Sequence, residues 1–278
     1  MKKLLSLLLA LMMVATLAAC GGTEDKPENA EPVEPQGEEQ DESAAGDLQY
    51  VLDKGEMVIG YTLYAPMSYE DDNGDFTGFD TELARLICEE LGVEATFVKI
   101  NWDTKELELD SKEIDCIWNG LTITDERKAN MEISQPYVKN AQVVVMKADA
   151  EYADTSSLIG KSVAAEKGSA GEETLMNDDN LSQADYIKKE VQTDCLMEVK
   201  SGTADAAVLD LTLANTMIGE GTNYADLVIV DYLAEEFYGV AFRKGSDIAV
   251  EINRIFDQLI ADGTMSELAD KYGLDIVE

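Results

Sequence analysis

The 278-residue sequence contains no histidine. That absence removes Ser-His-Asp and Cys-His catalysis together with imidazole metal ligation, and leaves only carboxylate, lysine or tyrosine chemistry to an enzymatic reading. Cysteine is scarce: Cys20, Cys88, Cys116 and Cys195 form no Cys-x-x-Cys pair. Neither a metal site nor a cofactor is expected. Cationic side chains are few, 21 Lys and Arg against 57 Asp and Glu, for a formal net charge of −36. A phosphate backbone needs a basic face, so nucleic acid is excluded as a partner. What is present is 45% hydrophobic, enough for packed cores in one large domain or two smaller ones.

Met1-Lys2-Lys3 and the apolar run Leu4–Ala19 have the basic n-region and h-region of a signal peptide, too short for a lasting membrane span. The run ends at Leu17-Ala18-Ala19-Cys20, which matches the bacterial lipoprotein box, where the Cys thiol is diacylglycerated and becomes the new N-terminus. Two acyl chains hold a protein at a membrane far better than one. Ordinary signal-peptide cleavage beside an incidental Cys is the alternative and would leave the protein secreted but free. Residues 1–19 are thus read as signal peptide and 20–47 as the lipidated Cys with an acidic tether. The tether holds three of the five prolines, Pro27, Pro32 and Pro35, and hardly any large apolar side chain. It cannot bury enough surface to fold. The other three cysteines make a poor disulfide framework and are expected as buried free thiols.

From residue 48 the chain alternates strands with helices. A strand is expected over Glu56–Tyr61, a break at Pro66, and a hairpin through Met67–Phe79. Its acidic turn, Asp71-Asp72-Asn73-Gly74, fails a calcium-loop template, because position 1 is Tyr69 and position 12 is Asp80. Asp80 is expected to cap a helix whose apolar residues Leu83, Leu86, Ile87 and Leu91 recur at three- and four-residue spacing, closed by Gly92. A strand at Val93–Ile100, helical residues around Thr104–Asp110 and a strand from Ile114 follow. This alternation predicts a largely parallel α/β sheet.

The stretch Ile114–Arg127 is the most informative. Its apolar start suits a short buried strand, which Asn119-Gly120 breaks. Thr122 and Thr124 place hydroxyls and amides at the strand end, where ligands of open α/β sheets bind. Arg127 adds a guanidinium fork that matches a carboxylate in a bidentate pair. On composition alone a strand, a turn and a surface arginine is the favoured reading. The order of residues, however, strongly resembles the signature of the bacterial extracellular solute-binding protein family 3, the amino-acid-binding proteins of ABC importers. In the pattern Asp-x-Ile-x-x-Gly-Met/Leu-Thr/Ser-Ile-Thr-x-x-Arg, Asp115, Ile117, Gly120, Leu121, Thr122, Ile123, Thr124 and Arg127 fall in register. The opening motif is similar too, through Tyr64, Ala65, Pro66, Gly78, Phe79 and Asp80.

The resemblance covers nearly all of residues 48–278. It implies two Rossmann-like lobes joined by two crossing strands, with the ligand in the interlobe cleft (type II periplasmic-binding-protein fold). Lobe 1 would be residues 48–140 and 241–278, and lobe 2 residues 141–240. It further implies that Arg127 and the Thr122 amide hold the ligand α-carboxylate, while the Gly120 carbonyl and Thr122 hydroxyl take the α-ammonium. Asn119 would lie beside them, and Tyr64 and Trp102 would cover the pocket, whereas Trp118 is expected to pack within its strand. In lobe 2, a Gly-rich turn, Glu166-Lys167-Gly168-Ser169-Ala170-Gly171, runs into a helix start and offers amides to an anion. By resemblance the Ser169 and Ala170 amides meet the same carboxylate, and Asp210, after the strand Ala206–Leu209, meets the ammonium. Phe237–Arg243 would cross back, and Ile248–Tyr272 would form the closing helices.

The expected partners are a small-molecule amino acid, the permease subunits of an ABC importer, and the membrane through the N-terminal lipid, for a monomer. Relatives for basic ligands often carry Asp where this chain has Tyr61, but a carboxylate at Glu166 suits a basic or amide group. A polar or basic amino acid is therefore preferred, and an acidic one is disfavoured by a missing second cation. Two rivals remain at this level. One is a dehydratase of prephenate type on the same fold, with Glu166 as proton donor; the other is a ligand sensor that reports to a receptor.

Overall fold

The computed structural model describes residues 46–277. The signal peptide, Cys20 and the acidic segment before Gly46 lie outside them. Among the described residues eleven strands follow in order: β1 (Glu56–Tyr61), β2 (Tyr69–Glu70), β3 (Phe76–Thr77), β4 (Glu94–Lys99), β5 (Cys116–Thr122) and β6 (Met131–Ile133). Then come β7 (Val138–Lys147), β8 (Ser162–Glu166), β9 (Asp185–Lys189), β10 (Ala206–Asp210) and β11 (Leu227–Arg243). All but the β2–β3 hairpin belong to one sheet of order β4-β1-β5-β11-β7-β10-β8-β9, with β6 also on β11.

Two parallel trios make the flanks of that sheet. β4, β1 and β5 run parallel on one side, and β10, β8 and β9 on the other. Both are built from strand–helix–strand crossovers, which favour parallel pairing. The middle is antiparallel, because β7 leaves the first flank and β11 returns to it. These two strands are longer than the apolar runs Ala141–Lys147 and Phe237–Arg243 suggest, since polar residues such as Asn140, Gln142 and Glu236 continue the ladder.

The helices lie where apolar spacing predicts. The helix Phe79–Leu91 buries Leu83, Ala84 and Ile87 and ends on Gly92 in the left-handed region. Its start departs from expectation. Gly78 is the N-cap, and Asp80 makes no cap bond; its carboxylate instead accepts from the Gly120 amide at 2.7 Å and the Tyr137 hydroxyl at 2.8 Å. Long-range partners outcompete the local cap because the residue is buried. At the other end of the chain, Gly263 divides the closing helices into Ile248–Ala261 and Thr264–Tyr272. Asp47 is the first residue of the helix Asp47–Lys54 rather than tether, because its carboxylate meets the buried Arg243 Nε at 2.9 Å.

Trp118 is fully buried and packs edge-on against Phe256. Cys88, Cys116 and Cys195 are buried free thiols. In the hairpin turn, Asp71 Oδ1 accepts from the amides of Asn73 and Asp75, so that oxygen is engaged by its own loop. No described helix is long and apolar enough to cross a membrane.

Candidate functional site

The carboxyl ends of β1, β5, β8 and β10 converge on one cavity between the flanks. Its volume is about 10 Å³, room for about one water molecule. An amino acid therefore enters only if the walls move apart. From the first flank come Thr62, Tyr64, Trp102, Asn119, Gly120, Thr122 and Arg127; from the second, Glu166, Ser169, Ala170, Gln192 and Asp210. Ten of the eleven residues singled out by sequence meet here. Tyr61 does not line the cavity; it packs on Phe76 and Phe97, with ring centroids 4.6 and 6.2 Å away.

Local sequence explains the placement of Arg127. Thr124 caps the helix Asp125–Asn130 by accepting from the Arg127 amide at 3.2 Å, which turns that helix off the end of β5. The guanidinium then donates to the Thr122 carbonyl at 2.7 Å and, from the opposite flank, to the Gly168 carbonyl at 3.3 Å. With five N–H donors, it keeps others for a ligand. Gly120 has φ +59°, and a Cβ there would lie 2.7 Å from Tyr64 Cε1. Glycine thus lets the strand end pass under the Tyr64 ring. Tyr64 itself bonds Thr212 and, at 2.5 Å, the Tyr238 hydroxyl.

On the second flank, Ser169 caps the helix Ala170–Asn177, accepting from the Glu172 amide at 3.1 Å. Its hydroxyl donates to the Glu166 carbonyl at 2.8 Å, which closes the turn. Asp210 ends β10 under the amides of Asn140, Gln142 and Gln192, the first at 2.8 Å. Gln192 answers with its own oxygen, which accepts from the Asp210 amide at 2.9 Å.

Buried charge dominates the electrostatics. Burial first, and then the Asp210 charge, push Glu166 up to about 8. Burial and Asp210 also push Glu236, whose Oε1 accepts from the Thr122 hydroxyl at 3.0 Å, up to about 8. Glu166 Oε1 is buried without a hydrogen-bond partner. Against these carboxylates stand Arg127, lowered by burial, and Lys105, lowered to about 8 by burial and then by Arg127. Lys105 is the second cation that the sequence did not suggest. Its ammonium is taken up by two backbone carbonyls, those of Trp102 and Gly168.

Sequence reasoning missed Thr62, Gln192, Lys105 and the crossing-strand trio Asn140, Gln142 and Glu236. The trio carries a readable signal, since Asn140 and Gln142 are polar residues at the head of the apolar run Val143–Met146. Gln192 carries none, because it only opens a helix and reaches Asp210 through the fold.

Two α/β flanks around a charged cleft at the strand ends, linked by two long strands, define a cleft-type ligand-binding protein with the type II periplasmic-binding-protein fold. The family model of bacterial extracellular solute-binding proteins, family 3, matches residues 57–275, and the chain belongs to that family. The L-cystine-binding protein TcyJ of Escherichia coli is 32% identical over 238 residues, covering 84% of this chain and 88% of its own. The arginine-binding extracellular protein ArtP of Bacillus subtilis is 27% identical over 277 residues, 98% of each chain. A mutant of ArgBP from T. maritima superposes with a TM-score of 0.75 at 32% identity, across 81% of this chain and 98% of that one. The family is one of binding proteins rather than enzymes, and its members act outside the cytoplasm.

Proposed function

We propose that this chain is the substrate-binding lipoprotein of an amino-acid ABC importer. It captures a free amino acid outside the cytoplasmic membrane by hinge closure and delivers it to permease subunits, as a monomer held to the membrane by a lipid on Cys20. The observation that carries this reading is the pairing of Arg127 and Asp210: opposite charges that reach one cavity from opposite flanks. An amino-acid zwitterion matches both. Arg127 and the Thr122 amide take the carboxylate, aided by the Ser169 and Ala170 amides. Asp210, the Gly120 carbonyl and the Thr122 hydroxyl take the ammonium, and Tyr64, Trp102 and Asn119 wall the site. Residues 48–140 with 241–278 and residues 141–240 move as the two lobes, since a ligand that touches both favours their approach.

A polar or basic side chain fits best. Glu166 presents a buried oxygen without a partner, with the Asp210 carboxylate nearby, and a cationic group would satisfy it. Relatives named for cystine and arginine agree with a polar ligand. The test is the melting temperature of the full-length protein against each amino acid and cystine, because a ligand of the native state raises it by mass action. A rise of several degrees for one chemical group is expected; no rise for any would overturn the reading.

A further inference from the structure

Across the mouth of the cleft, the flanks meet through backbone. The Lys105 ammonium, in a side chain only 5% exposed, donates to the Trp102 carbonyl at 3.0 Å on its own flank. It also donates to the Gly168 carbonyl at 3.0 Å on the other flank. A lysine has three donors and no acceptor, and burying it is costly unless those donors are met. The two carbonyls meet two of the three, one from each side.

Gly168 is shaped for this approach. Its φ is +73°, and a Cβ there would lie 3.0 Å from Asp103 Cα and 3.2 Å from the Trp102 carbonyl oxygen. Two exposed contacts frame the meeting point: Lys167 Nζ to Asp103 Oδ2 at 2.6 Å, and Asn101 Nδ2 to Glu190 Oε2 at 2.9 Å. Such exposed pairs contribute little by themselves. The buried ammonium is the stronger link, since its charge-assisted hydrogen bonds are shielded from the solvent screening that weakens the exposed pair. Lys105 does not line the cavity, and Arg127 already supplies the carboxylate fork there.

We propose that Lys105 is a positioning residue for ligand retention: it ties the Trp102 wall to the Gly168 turn when the cleft is closed, and so slows ligand departure. This rests on the amino-acid-binding reading, although the clasp itself needs no ligand to form.

The test uses full-length wild type, Lys105→Met, Lys105→Arg and Gly168→Ala, each checked for native circular dichroism. Stopped-flow tryptophan fluorescence with L-arginine and with L-cystine reads association and dissociation separately. Lys105→Met is expected to raise the dissociation rate about tenfold with little change in association, the loss of one or two hydrogen bonds. Lys105→Arg, which keeps donors, restores part of the loss, and Gly168→Ala reproduces it from the opposite flank. Small-angle scattering without ligand gives the second readout: Lys105→Met and Gly168→Ala have larger radii of gyration than wild type. Dissociation within twofold of wild type, or equal loss in association, would overturn the proposal; so would unchanged radii in both variants. If wild type answers neither ligand, the amino-acid reading is what fails for these probes, and the radii still decide for or against the clasp.

Discussion

Asp210 and Glu236 accept hydrogen bonds from the same two side-chain amides. Asn140 Nδ2 lies 2.8 Å from Asp210 Oδ1 and 2.6 Å from Glu236 Oε1, and Gln142 Nε2 bridges the same two oxygens. Asn140, Gln142 and Glu236 sit on the crossing strands and Asp210 ends a strand of the second flank. The charged groups of the cleft are thereby hydrogen-bonded to the two strands that join the flanks.

This arrangement sets the pH dependence of stability. Glu236 titrates near 8 when folded, against an ordinary value of 4.5, and Glu166 behaves alike; Asp80 is raised to about 7. Raised carboxyls hold protons that the unfolded chain gives up, so their contribution is fully present below about 4 and is lost as pH rises through about 8. The melting temperature of the ligand-free protein is expected to fall between about pH 5 and pH 8 from these groups. Glu236→Gln removes part of that slope. A slope identical to wild type would show that Glu236 is ionised throughout.

Glu166 decides between ligand classes. With a cationic side chain beside it, the carboxyl ionises on binding and releases a proton, so affinity for L-arginine rises with pH up to about 8. Glu166→Gln should weaken L-arginine by about tenfold or more and flatten that dependence, while a neutral amino acid is little affected. Calorimetry in two buffers of different ionisation enthalpy counts the proton directly.

Arg127→Ala is expected to lower amino-acid affinity about a hundredfold, from two charge-assisted hydrogen bonds lost. The fold should survive, because the guanidinium's remaining bonds are to the carbonyls of Thr122 and Gly168. Arg127→Lys rescues little, since a point charge lacks the planar fork. Titration calorimetry against the best ligand measures this; affinity kept within tenfold would remove Arg127 from the carboxylate site.

Gly120→Ala tests the strand end. The positive φ and the contact with Tyr64 Cε1 together predict a stability loss of about 1–3 kcal/mol in urea unfolding. Binding should weaken as well, because Tyr64 must shift from Thr212 and Tyr238.

The cavity lining was legible in the sequence where it is local. Asn119, Gly120, Thr122 and Arg127 lie within one strand end and one capped turn, so their order alone carries the geometry. Glu166 and Asp210 each end an apolar strand run, but it is the family resemblance that singles them out. Lys105 was not legible, since a lysine in a charged helix, Lys-Glu-Leu-Glu-Leu-Asp, reads as solvated, whereas here its ammonium is held between Trp102 and the distant Gly168 carbonyl. Asp80 misled for the same reason: its position reads as a cap, while its partners, Gly120 and Tyr137, are 40 and 57 residues away. Tyr61 adjoins the site in sequence, but strand alternation turns its ring toward Phe76 and Phe97.

The two crossing strands are not independent cords. β7 and β11 pair with each other from Val138 and Tyr238 to Lys147 and Leu227, so they form one hydrogen-bonded ribbon. A ribbon flexes across its face far more readily than its rungs slide. The flanks are therefore joined by one bulged ribbon, in which a displacement of either strand carries its partner with it.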